Sequence, residues 1–166
     1  MPLDTLNPPV VSALTAAAIL LLQMILMLNV GRVRQATETV FGDGDETLQR
    51  AIRTHANLVE NAGSMLVGLA LLELIAAPTA AVAGIGGLFV VSRIAHAVGL
   101  GRSTGVSAGR FVGAVGTLLT GLALTGALFW FGLPLLVATA HNGVAALLLL
   151  SVINLNHVAA LNSPSR

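Results

Sequence analysis

Residues 10–30 run for 21 positions without a charged side chain, broken only by small or amide residues such as Ser12, Thr15, Gln23 and Asn29. As a helix this length covers roughly 30 Å, the thickness of a bilayer's hydrocarbon core. Backbone polar groups find no water there, so a crossing chain must close its own hydrogen bonds, and an unbroken run of this length does so as a helix. A cleaved signal peptide is the rival reading. It fits poorly, because the preceding segment carries Asp4 and no Arg or Lys, and no small-x-small cleavage site follows before Gly31.

The remaining chain has the same character. With 55% hydrophobic and 9% charged residues it is no soluble domain. Residues 31–44 form a polar loop ending in Gly42-Asp43-Gly44-Asp45-Glu46, a solvated turn in which Asp45 is placed to cap a second helix. The acidic cluster lacks the further ligands of a calcium site. The second helix has a polar half, 48–61, and an apolar half, 62–77, and Pro78 stops it. Three further apolar segments follow at 79–100, 111–131 and 133–153, the last interrupted by His141 and Asn142. The expected fold is an all-α integral membrane bundle of four helices, residues 1–132, with an additional C-terminal hydrophobic helix in residues 133–166 packed on it. An interfacial segment is the alternative for that fifth element.

Cations orient the spans. Arg32, Arg34, Arg50 and Arg53 surround the first connection, and Arg93, Arg102 and Arg110 the third, whereas the second and fourth connections have none. By the positive-inside rule both Arg-bearing connections face the cytoplasm, with the N-terminus outside and, for five spans, Arg166 inside. Eight arginines against seven carboxylates offer no broad basic surface to nucleic acid. With no Cys, Lys or Tyr, disulfides, thiolate metal sites, Schiff bases and tyrosine acids are all excluded. His141 and His157 have no ligand-spaced partner, so no metal is expected. The glycine clusters at 84–87 and 99–101 follow no strand and complete no nucleotide fingerprint. Small residues recurring at 109, 113, 117 and 121 are read as helix-packing positions, with Gly84 a weaker instance.

Arg53, Asn57 and Glu60 stand at i, i+4 and i+7 of the second helix, on one stripe. Arg93 and His96 stand at i and i+3 of the third. Ionisable groups within apolar spans are costly unless paired or solvated, which makes them functional candidates. On spacing alone, an ion pair at the membrane surface and a ligand site weigh equally for the second-helix stripe. Arg32, Arg102 and Arg166 are explained by contact with anionic lipid headgroups. Glu73 reads more simply as a helix-end residue than as a proton relay.

Arg53-Thr54-His55-Ala56-Asn57-Leu58-Val59-Glu60 resembles the second-helix motif of the membrane-associated proteins in eicosanoid and glutathione metabolism, the MAPEG family. Arg93-Ile94-Ala95-His96-Ala97-Val98-Gly99 is similar to its third-helix motif, and the arginines after helix one and at the start of helix four also fall in place. The resemblance, from residue 10 to 131, implies a four-helix bundle assembled as a homotrimer with glutathione between neighbouring subunits near the cytoplasmic side. Arg53, Asn57, Glu60, Arg93, His96 and Arg34, or Arg32 in its place, would hold the peptide. Arg110 would lie beside the sulfur and favour loss of the thiol proton. The implied activity is that of a glutathione transferase or peroxidase acting on a lipophilic small molecule from the membrane lipid. The family's tyrosines are missing, with Asn61 and Leu100 at two of those places, and Gly63 stands near its helix-two proline. That fits a bacterial-type member of the inner membrane, and keeps a non-catalytic membrane scaffold or lipid-binding protein as the alternative.

Overall fold

The computed structural model describes residues 8–103 and 105–161, without the side chains of 133–138, 140–142 and 155–161. Asp4 and Arg166 lie outside the described residues, as do the side chains of His141, Asn142 and His157. Four helices, with no strand among the described residues, follow in order: α1 (Val10–Ala36), α2 (Glu46–Leu74), α3 (Thr79–Arg102) and α4 (Ala108–Leu161). The chain divides into two compact units, Met1–Phe131 and Gly132–Arg166.

α1, α3 and the Ala108–Gly132 part of α4 are each long and apolar enough to cross a membrane. α2 is more polar, and buries one face instead. Leu58 and Ala62 close on Ile19 of α1 and Phe89 of α3, while Leu69 and Leu72 close on Val82 of α3 and Leu124 of α4. α1 has the inverted polarity expected in lipid. Its buried residues are Ser12, Thr15 and Ile19, at helical spacing, and Leu14, Leu21, Met24 and Leu28 are exposed.

Local chemistry sets the helix ends. Asp45 caps α2 as its sequence position suggests, accepting from the Leu48 backbone N–H at 2.8 Å. α1 runs past the expected end at residue 30 to Ala36, because Arg32, Arg34 and Gln35 are good helix formers that need not stop where the apolar run does. α2 ends earlier than residue 77. Ala76 takes a left-handed conformation (φ 60°), its N–H reaching Glu73 O and the Ala77 N–H reaching Leu72 O, a closing turn that stops the helix before Pro78. Residues 131–134, expected to be a connection, are helical; proline is tolerated within membrane helices.

Glycines set the spacing of α3 and α4. A Cβ on Gly99 would overlap the backbone of Gly109 and the Arg110 nitrogen, and one on Gly113 would lie 2.5 Å from the His96 nitrogen. The two backbones therefore touch where the site residues sit. Gly109 and Gly113 serve as the small-residue spacing suggests, but Gly121 and Gly84 meet nothing within 4 Å. The tight position on the other side of α3 is Gly86, whose Cβ would stand 2.6 Å from Thr15 Oγ1.

At the end of the bundle away from the arginines, Glu73 of α2 reaches the first turn of α1. Its carboxylate accepts from the backbone N–H of Val11 (3.0 Å) and Ser12 (2.7 Å) and from the Ser12 hydroxyl (2.6 Å). A helix N-terminus with orphan N–H groups is thus capped from a neighbouring helix, and Glu73 has a structural task.

Candidate functional site

Arg93 sits in the middle of α3, 3% exposed. A buried guanidinium needs acceptors, and α2 and α4 supply them. Nη1 donates to Asn57 Oδ1 at 2.9 Å and, at 3.5 Å, to the Asn57 carbonyl; Nη2 donates to the Gly113 carbonyl at 3.3 Å. Gly113 has no side chain to keep that carbonyl away. Arg93 is therefore a clamp across three helices, and its contacts fix the amide of Asn57.

Above this clamp lies a polar cavity of about 350 Å³, lined by Glu46, Gln49, Arg50, Arg53 and Asn57 of α2, His96 and Leu100 of α3, Ser103, and Arg110 of α4. Arg53 is exposed and its guanidinium has no hydrogen bond or ion pair among the described residues. Arg110 donates from Nη1 to the Gly105 carbonyl at 2.7 Å, while its backbone N–H is held by Ser107 Oγ at 3.3 Å. That pins the arginine to the α3–α4 turn with its charge on the cavity wall. Arg50 pairs loosely with Glu46 at 3.6 Å.

A second cavity, of about 590 Å³, opens between α2 and α4. Asn57, Asn61, Ser64, Arg93 and His96 form its polar end, and Met65, Leu118, Leu122, Leu124 and Leu128 most of its apolar wall. Asn57 and His96 line both cavities. A cation-rich chamber and a larger apolar one thus meet at an amide and an imidazole.

Of the residues singled out from sequence, Arg53, Asn57, His96 and Arg110 come together at the polar cavity and Arg93 lies directly beneath. Arg34 and Glu60 do not join them within one chain. Arg34 Nη1 is directed at the carbonyls of Val40 and Gly42, both 3.2 Å away, and more distantly at Thr39, closing the loop after α1. Glu60 is exposed and lines neither cavity. In the sequence Arg50 stands out only as a topogenic charge, although it lies one turn before Arg53. Asn61 stands out there only as the replacement of a family tyrosine, yet its Nδ2 donates to the Asn57 carbonyl at 2.8 Å and it lines the larger cavity. The i, i+4 spacing of the two asparagines was the available signal. Among the described residues no group of acidic or histidine side chains is arranged to hold a metal ion.

Helices with leucines outward and polar groups inward, around a cationic chamber joined to an apolar one, define an all-α integral membrane protein with an internal polar site. The MAPEG family model matches residues 12–130, and the chain belongs to the MAPEG family. No individually curated protein matches it.

Proposed function

We propose that the protein is a glutathione transferase or peroxidase that brings glutathione to a lipophilic electrophile drawn from the bilayer. The observation that carries this reading is the junction of the cationic and apolar cavities at Asn57 and His96. The donor set of the polar cavity fits the tripeptide. Arg50 and Arg53 suit its two carboxylates, Glu46 its ammonium group, and Gln49 and Asn57 its amides. Glutathione supplies the nucleophilic thiol. Arg110 places a positive charge at the cavity wall, which favours loss of the thiol proton, and the two chambers orient their occupants toward each other. Exposed Leu118 and Leu122 bound the apolar cavity and give a lipophilic compound a way in from lipid.

Glu60 supports the homotrimer that family membership suggests. It is exposed on α2 beside exposed Val59 and Val67. A bare carboxylate against lipid costs about 3 kcal/mol at mid-membrane, so a covered position is favoured. A second copy on this face brings Glu60, and Arg34 from its own α1, toward a shared site. The setting is a bacterial inner membrane with the arginine-rich end at the cytoplasm, where positive-inside counting puts it.

The test is titration of the detergent-solubilised protein with glutathione, following thiolate ultraviolet absorbance and melting temperature together. A rise in both supports the enzyme, and binding without the thiolate signal supports a non-catalytic glutathione-binding scaffold. No binding refutes the reading. Arg110→Ala should lower turnover and the thiolate signal more than affinity, whereas Asn57→Ala should lower affinity.

A further inference from the structure

A further cavity of about 250 Å³ lies on the neighbouring face of α2, between the arginine-bearing ends of α1, α2 and α3. It is lined by Asn29, Arg32, Thr47 and Arg50, and floored by small or apolar residues that include Ala97 and Gly101. Two arginines line it and no acidic residue does. Arg32 is turned by its bond to Asn29 Oδ1, 2.9 Å from Nη2. The Nε of Arg50 is buried without a hydrogen-bond partner, so this arginine sits in an environment short of acceptors. Thr47 adds a hydroxyl in the first turn of α2, whose dipole favours negative charge. Asp45 is committed to Leu48 N, and exposed Glu46 stands 3.6 Å from one terminal nitrogen of Arg50, a loose contact that an incoming anion would compete with. An adjoining cavity contains Asp45 and shares Arg32, Val33 and Thr47.

We infer that this cavity is a second anion site, on the face of α2 next to the polar chamber and sharing Arg50 with it, and that it takes a phosphate group held between Arg32, Arg50 and Thr47. A forked guanidinium pair with a hydroxyl suits the tetrahedral oxygens of a phosphate. The phosphate comes either from an anionic phospholipid headgroup, beside the exposed apolar face of α1, or from a free anion in solution. Gly101 keeps the space open, since a Cβ there would meet nothing within 4 Å.

The full-length protein in neutral detergent, without glutathione, is titrated with short-chain phosphatidylglycerol, with phosphatidylcholine of the same chain length, and with sodium phosphate against sodium chloride at equal ionic strength. Thermal midpoint and native mass spectrometry are the readouts. Phosphatidylglycerol should bind and raise the midpoint more than phosphatidylcholine. A matching rise with inorganic phosphate assigns the site to free anions, and a rise with phosphatidylglycerol alone assigns it to lipid. Arg32→Gln should weaken the response about tenfold, as expected for loss of a charged contact. Gly101→Leu, which leaves every charge in place and adds bulk to the cavity lining, should do the same. If phosphatidylglycerol and phosphatidylcholine act alike and phosphate does nothing, or if Arg32→Gln and Gly101→Leu both respond like the wild type, the site does not exist. Because glutathione is left out, neither result depends on the proposed activity.

Discussion

Replacing Arg93 by Met should damage the fold, and replacing Arg53 by Gln should damage ligand binding. Met keeps most of the volume of the buried side chain and discards its donors. The lost interactions are the 2.9 Å bond to Asn57 Oδ1 and the longer ones to the carbonyls of Asn57 and Gly113. The two carbonyls keep other partners, Asn61 Nδ2 at 2.8 Å and Thr117 Oγ1 at 2.8 Å, so only Asn57 Oδ1 loses its principal donor. A hydrogen bond to a charged group contributes roughly 1.5–3 kcal/mol. Against this, Arg93 Nε is buried without a partner, and removing it recovers about 1 kcal/mol of desolvation. The net loss is about 0.5–2 kcal/mol, which for a chain of this length lowers the melting midpoint by roughly 1–8 °C. Glutathione affinity, measured well below the midpoint, should fall only severalfold as Asn57 loses its orientation. Arg53 is exposed without such partners, so Arg53→Gln should leave the midpoint within about 1 °C and weaken glutathione by about 10–100-fold, the effect of one charge-assisted contact to a carboxylate. The assay is a melting curve and a glutathione titration on the same preparations. If Arg93→Met abolishes binding with its midpoint intact, and Arg53→Gln binds normally, the two roles have been assigned the wrong way round.

Three other substitutions probe separate parts of the fold. Glu73→Ala removes three bonds to the start of α1 and should destabilise by about 2 kcal/mol, with Glu73→Gln recovering part because one acceptor oxygen remains; an unchanged denaturation midpoint in the alanine variant would count against the cross-helix cap. Gly99→Val drives a side chain into the backbone of Gly109 and Arg110, so it should cost at least 1–3 kcal/mol and disturb the glutathione-induced thiolate signal through the shifted Arg110, both visible in one titration series. Gly84→Ala and Gly86→Ala make a matched pair in α3. The first enters open space and should stabilise by up to about 1 kcal/mol through helix propensity, whereas the second meets Thr15 and Leu69 and should destabilise, and equal midpoints would mean that α1 does not approach α3 as described.

The bundle was largely legible because a bilayer simplifies the choice each residue faces. Charge-free runs mark spans, and the structure adds that groups lipid rejects turn inward, with Ser12 and Thr15 on the packed face of α1. Rotation about each helix axis was not legible. Gly84 and Gly86 are two residues apart, yet one faces open space and the other a threonine, and only the packing of α1 decides between them. Glu73 and Ser12 are 61 residues apart, and nothing local to either announces the bond.

The arginines show the same limit within the site. A cation in a membrane helix can escape its solvation penalty by lying among carbonyls of neighbouring helices or by facing a polar cavity. Both solutions leave an arginine beside small or amide residues, so Arg53 and Arg93 look alike in sequence. They part because Gly113 bares a carbonyl at the depth of Arg93, while the arginine side of α2 at Arg53 opens toward Arg110 across the polar chamber. One arginine is consumed in holding Asn57, and the other is left with its donors available. A site of this kind needs both, because an amide that lines two cavities can orient their occupants only if something buried fixes it in place.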